Sequence, residues 1–476
     1  MNPRSWRPPR FLIAPVVLLF LLGGFAPFPA TNPAAGNLGF HPLIQLVRPG
    51  PRASPRIPTQ PPTDAQCRAA PPFINCYSPQ EMQNAYGEAS LLAAGNTGAG
   101  QTIVIIDSYG SPTIKQDLHT FDVGYNLPDP PSFRVLAPLG TVPWDPNNAT
   151  MLNWGFETTL DVEWAHAMAP GASIVLLTSP VAETEGVAGM PQFAYLIQFS
   201  LDHQLGQVIS QSWGATEETL FSPAGQDVFR VFEALYRRAA AQGVTVFAAA
   251  GDSGTVNAIN PAGNLFSTYP TVIYPASSPW VTAVGGTSLN ADTSGNYQSE
   301  VVWNDNYVAN ANCAGPFAGG GGVSRQFAEP GWQKGLGAPS QLLLRGHRGL
   351  PDIAYNADVC TAILVYLTFP GVSPGFYYIG GTSEGAPQWA GLIAVANQMS
   401  GHSLGFINPA LYTIGLSTSD ASALHDIVYG SNTNMGVAGY SATRGWDAAS
   451  GWGSPVASTL LPILNAADPG PGQSQH

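Results

Sequence analysis

The sequence predicts an α/β fold in which a parallel sheet carries helices on both faces, within a single large domain. Three observations carry that expectation. Runs such as TIVII (102–106), SIVLL (173–177) and VTVFAAA (244–250) are apolar throughout, as strands buried on both faces are. Segments with helical apolar spacing separate them, at 155–168, 192–203 and 226–242. Glycine-rich stretches follow, at Gly251 to Gly254 and at Gly319 to Gly322. By the length prior 476 residues allow two or three domains, but large α/β folds run this long as one.

The elements follow in order. Arg4, Arg7 and Arg10 precede an apolar run from Phe11 to about Phe25, so residues 1–30 read as a signal peptide or signal anchor. Residues 31–71 are rich in Pro, Ala, Arg and Gln without a period, and read as a linker or tail. Order is expected from near Ser78-Pro79-Gln80-Glu81, a capping-box pattern with Pro at the first helical position. The main domain is placed at 72–465, with further strands at 207–211 and 281–284 and a polar tail at 466–476. Within it, Gly380-Gly381-Thr382-Ser383 reads as the end of a strand, a tight turn and a serine at the mouth of a helix. Pro387 sits in that helix's first turn, Trp389, Leu392, Ile393 and Ala396 share one face, and Gly401 ends it.

Composition narrows the function classes. Charged residues make up only 10% of the chain and the net charge is −13, which argues against nucleic acid as a partner. So sparse a charge limits self-repulsion when carboxylates protonate, a composition compatible with acid surroundings. Four cysteines (Cys67, Cys76, Cys313, Cys360) in an exported chain favour two disulfides, with Cys67–Cys76 and Cys313–Cys360 the expected pairing.

Candidate chemistry lies at the carboxyl ends of strands, where Ser383 and Asp252 are both placed. Ser383 is a candidate nucleophile, although a serine at a helix start is most often only a cap. Glu157 and Asp161 stand four apart on one face of helix 155–168, shared with Leu160, Trp164 and Met168, while Thr158, Thr159 and Glu163 point elsewhere. Two carboxyls on a buried stripe are costly as ions, so the pair is expected to share a proton and act as a base in acid. Asp252, in Gly251-Asp252-Ser253-Gly254, has the rival reading of an ordinary turn residue.

Glu157-x-x-x-Asp161, the G-D-S-G with Asp252 and G-T-S-x-x-x-P with Ser383 occur in the order of the sedolisin family, the serine-carboxyl peptidases. The chain resembles that family over about 72–465, also at Ser212-Trp213-Gly214, Gly320-Gly321-Gly322-Val323-Ser324 and Pro351-Asp352-Ile353-Ala354. The second Gly-Gly-Thr-Ser, at 285–288, is a decoy because no helix follows it. The resemblance implies a subtilisin-like doubly wound fold. It implies Ser383 as nucleophile, Glu157 as general base, Asp161 as its orienting partner and Asp252 as oxyanion donor. His425-Asp426-Ile427 and Gly445-Trp446-Asp447 resemble the family's calcium loop. That likeness implies a Ca²⁺ held by the Asp426 and Asp447 carboxylates and the carbonyls of Ile427, Thr443 and Gly445. The family usually has glycine where Thr443 stands. The implied protein is a secreted, acid-acting, monomeric endopeptidase on polypeptide substrates, membrane-attached only if its signal is uncleaved. Family members usually carry a large prodomain, for which the segment before 72 is too short. Either this chain folds unaided, or its folding chaperone is a separate protein.

Three rivals remain. A subtilisin-like Ser-His-Asp protease would draw on Asp107, at the end of TIVIID, and on His166, the nearest histidine. A tripeptidyl-peptidase would share the site but need a blocked groove and a carboxylate for the substrate amine. A catalytically retired exported binding protein would have been free to lose the four catalytic residues, all of which are present.

Overall fold

The computed structural model describes residues 60–70, 73–183, 185–307, 315–417 and 422–467, and the backbone of 45–47. The expected signal segment, Cys313 and residues 468–476 lie outside the described residues. The strands that organise the molecule are β1 (Gln45–Val47), β2 (Asn75–Tyr77), β3 (Thr102–Ser108), β4 (Phe133–Leu136), β5 (Ser173–Ser179) and β6 (Val208–Gln211). They continue as β7 (Thr245–Ala249), β8 (Thr282–Ala291), β9 (Tyr297–Val302), β10 (Ile353–Asn356), β11 (Thr361–Leu367) and β12 (Gly375–Gly380). The main helices are α1 (Ala149–Met168), α2 (Met190–Asp202), α3 (Pro223–Ala241) and α4 (Gly385–Ser400).

The main sheet has the order β9-β8-β7-β6-β3-β5-β4, with β10 also paired to β8, and all its pairs are parallel except β8 with β9. The apolar strands divide their side chains by period two. Ile103, Ile105, Ile174, Leu176 and Phe247 enter the core beneath α1 and α4, with Leu160, Trp164, Trp389 and Leu392. Val104, Ile106, Val175, Leu177 and Val246 enter the opposite core, with Phe193 and Ile197 of α2 and Phe229 and Phe232 of α3. This is the expected subtilisin-like doubly wound arrangement with helices on both faces. The Ser78 capping box is present, with Pro79 at the helix start.

The structure differs from the sequence reading in three places. Order sets in before Ser78, with a helix at Asp64–Ala69 capped by Thr63 and Gln66 and stapled by the Cys67–Cys76 disulfide. That helix is six residues long, too short to show a period. Helix α1 starts at Ala149, where the Asn148 side chain accepts from the amides of Thr150 and Met151. It has no solvated face: Thr158, Thr159 and Glu163 are as buried as Glu157, because α1 is held between β3, α4 and β11. Finally, the strand feeding Ser383 is not part of the parallel sheet. β12 pairs antiparallel with β11 in a second sheet of order β1-β12-β11-β2. No helix among the described residues is long and apolar enough to cross a membrane.

Candidate active site

Four elements deliver the candidate residues to one place. β12 ends at Gly380, and Gly381 (φ 127°) makes a turn that disfavours other residues. Thr382–Glu384 then form a short 3₁₀ turn that runs into α4, whose exit is the expected Gly401 at φ 75°. Ser383 therefore stands at the head of a helix whose first amides have no intrahelical partner. The decoy serine, Ser288, lies inside strand β8 and donates to Asp358 instead.

Glu157 and Asp161 come from the middle of α1, and neither has exposed surface; Ser383 is equally buried. The Glu157 carboxyl faces the Ser383 hydroxyl, although neither Glu157 oxygen is in a hydrogen bond of regular geometry. Looseness of that kind is common at unliganded catalytic sites. Burial holds the Glu157 pKa well above the usual carboxylate range, and repulsion from Asp161 adds to the shift. Asp161 is raised by burial and by Asp107, while the Ser212 hydroxyl, which donates to its Oδ1 at 2.9 Å, works against the rise. Ser383 Oγ lies 3.5 Å from the Ser212 carbonyl oxygen.

Asp252 follows β7 and reaches Thr382, the residue before Ser383. Its Oδ1 accepts from the Thr382 amide and from the Thr382 hydroxyl, both at 2.8 Å, while Oδ2 has no partner. Burial pushes the group up to about 7. With Oδ1 saturated as an acceptor, the proton belongs on Oδ2, the atom left free to donate. The glycine stretch at 319–322 fits against this loop. Gly320 donates to the Gly251 carbonyl, and a Cβ there would lie 2.0 Å from the Ala250 oxygen.

Two members of the site carried no assigned role in the sequence reading. Ser212, at the end of β6, links the Asp161 carboxyl to the backbone of Ser383; its signal was the Ser212-Trp213-Gly214 string. Asp107, considered only as part of a rival triad, is fully buried at the end of β3. It faces the Thr158 hydroxyl, is raised to about 7 by burial, and adds its charge to the Glu157–Asp161 pair. His166 goes elsewhere: its Nε2 lies 2.7 Å from the Pro128 carbonyl and 3.4 Å from Asp122, and burial lowers it to about 4. The histidine rival therefore lacks its base at Ser383.

Four of the five candidate calcium residues make contacts in two pairs. The Gly445 amide donates to the Asp426 carboxylate at 3.0 Å, and the Thr443 amide to Asp447 Oδ2 at 2.8 Å. Among the described residues no backbone amide donates to the carbonyls of Ile427, Thr443 or Gly445. No group of three or more His, Cys, Asp or Glu side chains suited to a metal occurs among the described residues. Two carboxylates and three carbonyls are an oxygen-only donor type of the kind a hard cation takes, although the Asp447 carboxylate already accepts from the Thr443, Ala449 and Ser450 amides and the Ser450 hydroxyl.

Residues 157–404 match the family model described as the Subtilase family, a span that begins at Glu157 and contains Asp161, Asp252 and Ser383. The chain is 33% identical over 436 residues to kumamolisin of Bacillus sp. (strain MN-32), covering 89% of this chain and 71% of that protein. It is 30% identical over 383 residues to sedolisin of Pseudomonas sp. (strain 101), covering 79% and 59%. Over 329 residues it is 30% identical to tripeptidyl-peptidase 1 of Rattus norvegicus, covering 65% and 52%. Among solved structures, Pseudomonas sedolisin, a serine-carboxyl proteinase complexed with two molecules of pseudo-iodotyrostatin, superposes with a TM-score of 0.67. The sequence identity is 27%, with 83% of this chain and 99% of that one covered.

Fold and likeness together define a peptidase of the serine type. The chain belongs to the sedolisin family, the serine-carboxyl peptidases.

Proposed function

We propose that the chain is an exported endopeptidase that cleaves polypeptides in acid through an acyl-enzyme on Ser383. The observation that supports this most is the set of buried carboxyls gathered at one serine, with Glu157 facing its hydroxyl, Asp161 beside Glu157, and Asp252 bonded to the preceding residue, Thr382. Ser383 Oγ attacks the scissile carbonyl while Glu157 takes its proton. Asp161, steadied by Ser212, orients Glu157 and shares the pair's remaining proton. The tetrahedral oxyanion accepts from protonated Asp252 Oδ2. Glu157 then returns its proton to the departing amine, leaving the acyl-enzyme, and water attacks it by the same steps in reverse. The donor at Asp252 exists only while that carboxyl holds its proton, below about 7. A tripeptidyl-peptidase would use the same residues, and the likeness to tripeptidyl-peptidase 1 keeps that reading alive.

In the same proposal Asp426, Asp447 and the carbonyls of Ile427, Thr443 and Gly445 hold one Ca²⁺, which would tie the 443–447 loop to the segment at 426–427. The mature protein is a secreted monomer in this reading, attached to a membrane only through an uncleaved signal.

The test is hydrolysis of a denatured protein between about pH 2 and 8, comparing wild type with Ser383→Ala and Glu157→Gln. Acid-only activity that each substitution reduces by at least about 10³-fold is expected. Neutral-pH activity that survives Glu157→Gln would overturn the assignment.

A further inference from the structure

The turn that presents Ser383 is short, and both neighbours of the serine are tied to buried side chains. On one side Thr382 donates twice to Asp252. On the other stands Glu384, the first of the three positions that the G-T-S-x-x-x-P pattern leaves open. Glu384 has no exposed surface. Gly385, which follows it, is pressed closely on the strands beneath. A Cβ there would lie 2.7 Å from Val284 of β8 and 2.9 Å from Tyr355 of β10.

The Glu384 carboxyl reaches β10, where the Asn356 side-chain amide donates to its Oε1 at 2.8 Å. Asn356 cannot turn its amide round. Its Oδ1 accepts from the Leu289 amide of β8 at 3.0 Å and from the Thr361 hydroxyl of β11 at 2.6 Å, while its Nδ2 also donates to the Thr361 carbonyl. A reversed amide would set N–H₂ against the Leu289 N–H, so Nδ2 must point at Glu384. Among the described residues, neither Glu384 Oε2 nor Gln388 Oε1, one helical turn further on, has a partner. Gln388 Nε2 donates to the Glu384 carbonyl oxygen at 3.0 Å, and the Gln388 side chain faces the Glu384 carboxyl. Two bare acceptors in one buried place are costly, and a proton on Oε2 turns one of them into a donor. Burial favours that proton by raising Glu384 well above the usual carboxylate range, and the charge of Asp358 adds to the rise.

We infer that Glu384 is a positioning residue for the nucleophile: its neutral carboxyl accepts from Asn356 at Oε1, donates from Oε2 to Gln388 Oε1, and so fixes the serine turn to β10 and to the first turn of α4. The inference rests on the reading of Ser383 as nucleophile. With Thr382 held by Asp252 and Glu384 held by Asn356, the backbone on each side of Ser383 is fixed, and its hydroxyl is aimed at Glu157 before substrate arrives. A misplacement of about 1 Å in such a group can cost about 10²-fold in rate.

The experiment compares the full chain with Glu384→Leu, Glu384→Met and Glu384→Gln. At about pH 4, kcat and KM are measured on a peptide spanning a bond that the wild type cleaves in a denatured protein, and Tm is measured beside them. Leu and Met fill the space without either hydrogen bond, and Asn356 Nδ2 keeps the Thr361 carbonyl, so Tm should stay level or rise. Their kcat should nevertheless fall at least about tenfold, with KM within about threefold of wild type. Gln offers an acceptor to Asn356 and a donor to Gln388, and should bring kcat back to within about threefold of wild type. A kcat within about twofold of wild type in the two apolar variants would overturn the inference, as would a loss that Gln shares. Apolar variants that do not fold, or that lose kcat only in step with Tm, would assign Glu384 to stability alone and overturn it too. A folded wild type that hydrolyses no peptide would remove the peptidase reading and this inference with it. Activity abolished by Ser383→Ala but kept by Glu384→Leu would remove the inference and leave that reading standing.

Discussion

Asp252 shows at the scale of one residue how position decides chemistry. The tetrapeptide Gly251-Asp252-Ser253-Gly254 suggests a turn, and in the structure the same aspartate has one oxygen saturated by Thr382 and the other free. An asparagine whose Oδ1 keeps both Thr382 bonds would present its Nδ2–H₂ where Oδ2 stands. Asp252→Asn is therefore expected to retain acid activity within about tenfold and to lose the decline near pH 7, since an amide does not titrate. Asp252→Ala should lose about 10²–10³ in kcat below about pH 7, where the wild-type carboxyl holds its proton. The pH dependence of kcat for the two variants checks both statements, and an unshifted alkaline limb in Asp252→Asn would count against the oxyanion role. Asp107 and Ser212 were written plainly in the sequence, but only the register of β3 and the end of β6 brings them to Glu157 and Asp161.

Among the elements, α1 was the most legible in position and the least legible in surroundings. Its carboxyls announce a site, and its length and capping follow from Asn148. Its all-round burial depends on β11, whose Leu364 carbonyl accepts from the Trp164 indole and whose Tyr366 amide donates to Glu163. The second sheet was not legible as a sheet apart, because a strand's partners are not encoded in its own period. The loop at 443–447 is the element most open to test. If Ca²⁺ binds there, chelation should lower Tm by at least about 5 °C in a calorimetric scan, by linkage to folding. Asp447→Asn should lower the starting Tm and make it insensitive to the chelator. An identical Tm with and without chelator in the wild type would dismiss the metal.

For the whole molecule, the governing fact is that many carboxyls are buried with few cations to meet them. The chain has 30 Asp and Glu against 17 Lys and Arg. The Arg348–Asp352 pair, 2.6 Å apart, is a buried ion pair, but Asp107, Asp122, Glu185, Glu233 and Asp305 are pushed by burial to about 7 or 8. Glu88, Glu163, Glu183 and Glu384 are raised well above the normal range by the same cause. In the unfolded chain these groups ionise near about 4. Between there and 7 to 8 the folded state binds more protons than the unfolded one, so their stabilisation is complete below about pH 4 and is lost as pH rises toward 8. Calorimetry on Ser383→Ala, which avoids self-digestion, should show Tm falling by roughly 10 °C or more from pH 4 to 8. A flat or rising Tm would contradict the burial of neutral carboxyls.

The sequence by itself determined the fold class, the main helices and strands, and the four residues proposed for catalysis. Apolar period, glycine turns and carboxyl spacing are local properties that a linear string records. It also determined the chain's poverty in cations. Only the tertiary structure decided that Ser383 follows a separate antiparallel hairpin, that this hairpin is edged by N-terminal strands, and that Asp107 joins the acid pair while His166 does not. Those outcomes depend on which strands pair and in what register, and pairing is settled by contacts between residues far apart in the chain, as between Gln45 and Gly380.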